Sequence, residues 1–327
     1  MLKQLQEQQG LRLEIIVSDG GSTDGTVAAI ERIRGIRIVE SNAGRGRQMN
    51  KAARLATAPF LLFLHADSVL LSIDQLHNAL SSLKAYLAHR GDHRAAGHFR
   101  IKFKRTLPGN HLAYRYYEAK SALNRPECTN GDQGFMLHRE FFDALGGFDE
   151  SMDFLEDQRF AETVRQNGEW ITLPGVIQTS ARRFEQEGFA RRMILSALIM
   201  NFHAIGFREF FEQAPELYRT QQRTTRLRMT PYFQLIHHLN EISGAAISRQ
   251  RWLATGKYVR NHAWQLFFFL DVVRERITGS KKRSFLWLHD HIIGCAIHNT
   301  LGTYFAVILA WVWYKLARRW YRAVDYY

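Results

Sequence analysis

Four sets of polar residues in this 327-residue chain have types and spacings suited to chemistry on a phosphorylated ligand. Asp19 closes the apolar, β-branched run LEIIVSD (13–19) and can accept a hydrogen bond from a base or a hydroxyl. Arg45 and Arg47 lie in the glycine-bearing stretch NAGRGRQMN (42–50), where a guanidinium can meet negative charge bidentately. His65 and Asp67 stand at the end of a second apolar run, LLFLHAD (61–67). Asp67 is a hard oxygen ligand, suited to Mg²⁺ or Mn²⁺ that also holds phosphate oxygens. Far downstream, Glu156-Asp157 adds an acidic pair in which a general base could sit. Each set also has a plainer reading. Asp19 before Gly20-Gly21 is a turn former, His65 and Asp67 could cap a helix, and Glu156-Asp157 could be solvated charge favoured by a helix dipole.

The elements that must position these residues follow from periodicity. LEIIVSD (13–19), IRIVES (36–41) and FLLFLHAD (60–67) read as strands. TVAAIERI (26–33), the later part of 42–57, and SIDQLHNALSSLKAYLAH (72–89) read as helices between and after them. Such repetition predicts a mainly parallel sheet covered by helices on both faces, with FLLFLHAD as an internal strand. Ligands of open α/β sheets bind beyond the carboxyl ends of the strands, where Asp19, the 42–47 loop and the His65–Asp67 pair all fall. AGHFRIKFKR (96–105) alternates with period two, as a half-buried antiparallel strand does. DFLEDQRFAETVRQNG (153–168) is an amphipathic helix with Phe154, Phe160 and Val164 inward, and EWITLP (169–174) is a last strand.

Composition sets the wider frame. Hydrophobic residues make up 46% of the chain, enough for a full core and a second unit. Two cysteines, Cys128 and Cys295, are too few for a disulfide framework and predict a reducing compartment. The opening MLKQLQEQQGLRLE has no apolar core of the kind a signal peptide carries. Of the formal net charge of +13, +11 falls after residue 220, where 16 Lys and Arg face 5 Asp and Glu. The expected division is therefore a near-neutral body, 1–220, and a basic helical extension, 221–327.

In their order along the chain, SDGGSTDGT (18–26), NAGRGRQMN (42–50), FLHAD (63–67) and LED (155–157) resemble the family 2 glycosyltransferases of GT-A fold. That family combines DDGSTDGT, an N-x-G…N loop-helix, DxD and ED in the same order. The variant with GDQG (131–134) and SARR (180–183) resembles a bacterial subgroup linked to arsenosugar-type glycosylation. The resemblance covers about residues 1–220. It implies a GT-A, Rossmann-like α/β core and an all-α C-terminal region. It further implies inverting transfer of a sugar from a UDP- or GDP-sugar to a hydroxyl acceptor. Asp19, Gly20, Arg45, Asn50, His65, Ala66 and Asp67 would line the nucleotide site, with Asp67 and His65 on a divalent metal, Mg²⁺ or Mn²⁺. Asp157 would be the general base, supported by Glu156. Gly131, Asp132 and Gln133 would shape the acceptor side, and Arg182-Arg183 would meet the leaving diphosphate.

Three departures from the pattern stand out. Gly20 replaces the second Asp of the first motif, and His65 replaces the first Asp of DxD. The family's first strand has no counterpart, since the chain opens in what should be the first helix. A nucleotide-sugar binder without turnover therefore stays as an alternative reading.

The tail reads as helical throughout. LGTYFAVILAWVWY (301–314) carries no charge, and Trp311, Trp313 and Tyr314 precede Lys315, Arg318, Arg319 and Arg322. This resembles an interfacial belt with a basic flank. It predicts attachment to the cytoplasmic face of a membrane, where a lipid-linked acceptor would be within reach. The alternative is a buried helix of an accessory domain. Basic charge with aromatics also raises nucleic acid as a partner, but the basic residues accompany apolar runs rather than a polar stripe, which argues against it. His289, His291 and His298 do not share a helical face and read as scattered.

Overall fold

The computed structural model describes residues 1–152, 154–221 and 226–325. The chain forms two compact units, Met1–Lys104 with Ala113–Ser180, and Arg105–Leu112 with Ala181–Tyr327. The shift in charge at 221 adjoins residues 222–225, which lie outside the described residues. Packing divides the chain earlier, where strand alternation ends at Ser180.

In the first unit α1 (Leu2–Gln6) precedes β1 (Ile15–Asp19), α2 (Thr26–Glu31), β2 (Ile36–Glu40), α3 (Arg45–Leu55) and β3 (Phe60–Phe63). Next come β4 (Val69–Leu70), α4 (Gln75–Arg90), β5 (Ala95–Lys104) and α5 (His111–Lys120). A 3₁₀ turn at Gly131–Gln133 leads into β6 (Phe135–His138), followed by α6 (Arg139–Ala144), α7 (Glu156–Asn167) and β7 (Glu169–Ser180).

The sheet is mixed rather than mainly parallel. β1 and β2 pair in parallel as a separate two-stranded sheet, and the other five strands run in the order β3-β6-β5-β7-β4. Only β5–β7 is parallel there, while β3–β6, β5–β6 and β4–β7 are antiparallel. Helices alternate with the early strands as a parallel sheet requires, but β6 inserts between β3 and β5 and runs opposite to both, which makes the larger sheet mixed. The FLLFLHAD run is also not an internal strand. It is extended only to Phe63, lies at a sheet edge, and is fully buried only at Leu61.

The break in the sheet falls between β1 and β3. Two cavities lie there, of about 410 and 580 Å³, each bordered by Ile16 and Val17 on one side and by Phe60 and Leu61 on the other.

Side chains alternate across β6, and that alternation builds both cores. Phe135 and Leu137 pack with Phe141 and Phe142 of α6 and Phe160 and Val164 of α7. Met136 faces the other way, towards Leu76, Leu83 and Leu87 of α4. β5 is buried at Ala95–Phe99, where it has β6 on one side and β7 on the other. Beyond β6 it pairs with β7 alone, so Arg100, Lys102 and Lys104 are exposed while Ile101 and Phe103 stay inside.

The second unit is entirely helical among the described residues. Its helices are α8 (Arg182–Glu187), α9 (Phe189–Ala204), α10 (Arg208–Gln221), α11 (Thr230–Ile242), α12 (Gly244–Asn261) and α13 (Trp264–Thr278). α14 (Ser284–Leu288), a π turn at His289–Ile293, α15 (Gly294–Ile297) and α16 (Thr300–Val324) complete it. Leu195 and Phe202 of α9, Phe210 of α10, Phe233 and Ile236 of α11, and Tyr314 and Tyr321 of α16 share one core. A buried charge locks it. Asp325 pairs with Arg191 and accepts hydrogen bonds from Met229 N (2.7 Å) and from Thr230 N and Oγ1 (2.7 and 2.8 Å). Burial would raise this carboxyl's pKa, but Arg191 and Thr230 together bring it below its usual range.

Helix α16 is long and apolar enough to cross a membrane, and only 17% of its most apolar window is buried. Leu301, Phe305, Ile308, Leu309, Leu316 and Trp320 are exposed. Gly256 lets α12 approach it closely, since a Cβ there would strike Val307 and come within 3.0 Å of the Thr303 carbonyl oxygen.

Candidate active site

Antiparallel pairing of β3 with β6 sets Phe63 opposite Phe135. The residues that leave β3 therefore meet those that enter β6, which brings His65 to Asp132. The His65 Nδ1–H donates to Asp132 Oδ1 at 2.7 Å. Burial works against a charged His65, yet the Asp132 carboxylate outweighs it and raises the imidazole pKa. Gly131 lies between His65 and Asp157. Its N–H donates to Asp157 Oδ2 at 2.8 Å, and a Cβ there would sit 2.9 Å from His65 Nε2 and 3.2 Å from Asp157 Oδ2. Only glycine lets these groups close over the turn.

Asp157 and Glu156 open α7. Leu155, just before them, has φ 62° and ψ 17°, a left-handed conformation that costs a non-glycine residue roughly 1–2 kcal/mol. Glu156 is buried and Asp157 half-buried in the first turn, where the helix dipole favours both carboxylates. Glu156 is 1% exposed and grips Arg45 through both carboxylate oxygens, at 2.7 and 3.2 Å. Burial raises the Glu156 pKa, and the Arg45 charge opposes that rise. Asp157 keeps Oδ1 on the Gln158 N–H at 2.8 Å.

One cluster thus contains Arg45, His65, Gly131, Asp132, Glu156 and Asp157. Ser18, Arg45, Gln48, His65 and Ala66 border the 410 Å³ cavity beside it. Asp67 is exposed at the same strand end and is a suitable oxygen donor for Mg²⁺ or Mn²⁺. His65 directs Nδ1 to Asp132, which leaves Nε2 as its other ligand atom. A metal held by these two residues would leave most of its coordination to phosphate oxygens and water, as Mg²⁺ sites do. The donors fit that role.

Other residues singled out from the sequence are engaged elsewhere. The Asp19 carboxylate is folded onto its own turn, accepting from Gly21 N (2.8 Å), Ser22 N (2.8 Å) and Ser22 Oγ (2.5 Å). Those bonds, led by the Ser22 hydroxyl, lower its pKa. Gly20 abuts the Gln48 side chain, which donates to Ser18 O at 2.9 Å. Asn50 clamps the loop after α6, donating to Phe148 O at 2.8 Å and accepting from Phe148 N at 2.9 Å. Gln133 is fully buried beneath the 3₁₀ turn and donates to Ser121 O at 2.8 Å. Beside it, burial pushes the His98 imidazole down to about 4, so it is neutral. Arg182 and Arg183 belong to the second unit, where Arg183 reaches Glu187 at 4.0 Å.

One cluster was not visible in the sequence. At the opposite end of β6, His93, His138 and Glu140 bring their ligand atoms within 4.8 Å of one another, with the two imidazoles stacked at 3.8 Å. Strand pairing rather than spacing joins them. The histidines of the tail are not part of such a cluster among the described residues.

No curated protein matches the chain. Among solved structures, the mannosyltransferase PcManGT from Pyrobaculum calidifontis, in complex with GDP-Man and Mn²⁺, is 19% identical, with 95% of this chain and 82% of that chain covered at a TM-score of 0.43. TarS 1–349 of S. aureus is 15% identical over 86% of this chain and 87% of that one, at a TM-score of 0.42. The same TarS fragment in complex with UDP is 16% identical, with 88% and 81% covered at a TM-score of 0.40. The mixed sheet between helical layers, followed by an all-α region, is the GT-A-type fold class expected from the sequence. Residues 1–146, which carry Arg45, His65, Asp67 and Gly131–Gln133, match the family model described as Glycosyl transferase family 2, while Glu156 and Asp157 lie beyond the matched stretch.

Proposed function

We propose that the chain transfers a sugar from a UDP- or GDP-sugar to a hydroxyl acceptor, with inversion at the anomeric carbon. The observation that carries this reading is the convergence of Asp157, His65–Asp132 and the Arg45–Glu156 pair around Gly131. Asp157 is the general base. Each of its oxygens accepts one backbone N–H and keeps a lone pair for the acceptor proton. As that proton moves to Asp157, the acceptor oxygen bonds to the anomeric carbon and the bond to the diphosphate breaks. Glu156 orients Arg45 rather than acting on the acceptor, so that the outward face of the guanidinium meets the departing negative charge. Asp67 and His65 would hold Mg²⁺ or Mn²⁺, which when bound supplies further positive charge to the diphosphate. Asp19 shapes the turn at the nucleotide edge. The arsenosugar-type subgroup rests on the sequence variant alone.

Calorimetry with UDP and GDP, with Mn²⁺ and with chelator, tests the donor half. Metal should tighten binding in the wild type and lose that effect in Asp67→Ala. Equal affinities in all four conditions would refute the metal assignment, and no binding of either nucleotide would refute the function. A binder without turnover is the second reading, favoured by the gap between β1 and β3. Nucleotide binding without sugar transfer or donor hydrolysis would select it.

The exposed face of α16 and the basic residues 315–322 support attachment to an anionic membrane surface, cytoplasmic in this reading. There, each Lys or Arg contributes about 1 kcal/mol. Co-sedimentation with phosphatidylserine vesicles, absent with phosphatidylcholine and lost on ending the chain at residue 290, would bear it out. Indifference to both vesicles would exclude it.

A further inference from the structure

The second unit encloses a cavity of about 390 Å³ walled by Leu198, Phe202, Trp252, Val259, Leu309 and Trp313. That volume lies within the roughly 300–1,000 Å³ typical of small-molecule sites. Two features set it apart from a packing gap. The first is polar. Asn201 lines the cavity, is 7% exposed, and has no donor for its Oδ1 among the described residues, while its Nδ2 donates to Thr255 Oγ1 at 3.2 Å. Asn240 repeats the pattern, with Nδ2 on Ile236 O at 2.9 Å and Oδ1 unpartnered. A buried amide oxygen without a donor costs stability, and a ligand hydroxyl entering this apolar space would repay it.

The second feature is the mouth. Leu309 and Trp313 both line the cavity and are 51% and 44% exposed, within the apolar face of α16. The route in crosses apolar surface, which suits an aliphatic chain better than a hydrated solute. The cation in the wall argues against an anionic head. Arg251 already pairs with Glu209 at 2.6 Å, donates to Ser243 Oγ at 2.9 Å and lies 3.8 Å above the Phe207 ring.

We propose that this cavity binds a single aliphatic chain ending in a hydroxyl, the class of a long-chain alcohol, with the hydroxyl donating to Asn201 Oδ1. The inference stands on the second unit alone and holds whether or not the first unit transfers sugar.

The test is calorimetric titration of the full chain with dodecanol, with its methyl ether, which has the same chain but no donor, and with dodecanoate. Dodecanol should bind one per chain, about tenfold more tightly than either of the others, a factor worth one hydrogen bond. Asn201→Leu should bring alcohol and ether to near-equal affinity. Ala310→Phe, which adds a ring at the cavity wall, should abolish binding of both while the far-ultraviolet circular dichroism stays unchanged. A folded Ala310→Phe that binds like wild type would move the ligand elsewhere and overturn the proposal. So would a wild type that does not prefer the alcohol to the ether. If Ala310→Phe does not fold, the alcohol-to-ether ratio in Asn201→Leu decides alone.

Discussion

In the first unit the polar groups at the candidate site are paired before any ligand arrives. Glu156 holds Arg45, Asp132 holds His65, and Asp157 holds the Gly131 N–H. In the second unit the side-chain amides of Asn201 and Asn240 face apolar space, with no donor to their buried oxygens among the described residues. The difference reflects what each ligand would bring. A diphosphate arrives with charge, so its site must hold charges apart and in place. An aliphatic chain arrives with almost nothing, so its site need only keep a shape and one acceptor.

The contrast can be broken most severely at Asp325. Asp325→Ala leaves Arg191 buried without its partner and removes the cap of α11, and should cost the second unit about 3–5 kcal/mol in chemical denaturation. The same carboxyl sets an acid limit. Its folded pKa lies below the unfolded value of about 4, so its contribution is complete above that pH and drains away as pH falls through the lowered value. Acid unfolding of the second unit that is unchanged in Asp325→Asn would contradict this.

Next comes Asp157→Asn, which should lower turnover by about 10² or more and leave nucleotide affinity nearly intact. Collapse of affinity instead would make Asp157 a donor-site residue. A smaller change is expected from Gly256→Ala. It forces α12 away from Val307 and should cost about 1–3 kcal/mol, partly restored by adding Val307→Ala. No loss of thermal stability would mean that the α12–α16 contact gives way freely.

The smallest effect belongs to His65. Its raised pKa means that the pair with Asp132 contributes fully below about pH 6.5 and is lost as pH rises through the higher folded value. His65→Gln should flatten that part of the stability profile by well under the cost of Asp325→Ala. An unchanged profile would show that the His65–Asp132 pair adds nothing to folding.

Much of the first unit was legible in the sequence. Strand ends at Asp19 and near His65 and the inward faces of α7 at Phe160 and Val164 follow from apolar periodicity and turn chemistry, whereas α3 already opens at Arg45, inside the stretch 42–47 read as a loop. The pairing partners were not legible, because they depend on which strands lie side by side. Nothing in the run FLHAD signals that antiparallel pairing with β6 will bring Asp132 to His65. Nor does the spacing of Asn50 reveal that Phe148, far along the chain, already occupies it, whereas the bonding of Asp19 to its own turn is the plainer reading its Gly20-Gly21 neighbours allowed. In the tail, helicity was legible, but the cavity was not. It arises from residues on four helices whose relation is tertiary.

The interrupted sheet has a consequence for handling the protein in solution. β1 pairs on one side only, with β2, and β3 on one side only, with β6. Unpaired strand edges of this kind are templates for self-association. Glu14 stands at the entrance to the gap, its carboxylate accepting from Thr57 N at 2.6 Å and from Ala58 N at 3.3 Å. The Thr57 amide, foremost among these bonds, holds its pKa below the usual glutamate value. Glu14 is thus placed as a gatekeeper, an anionic guard beside two open strand edges.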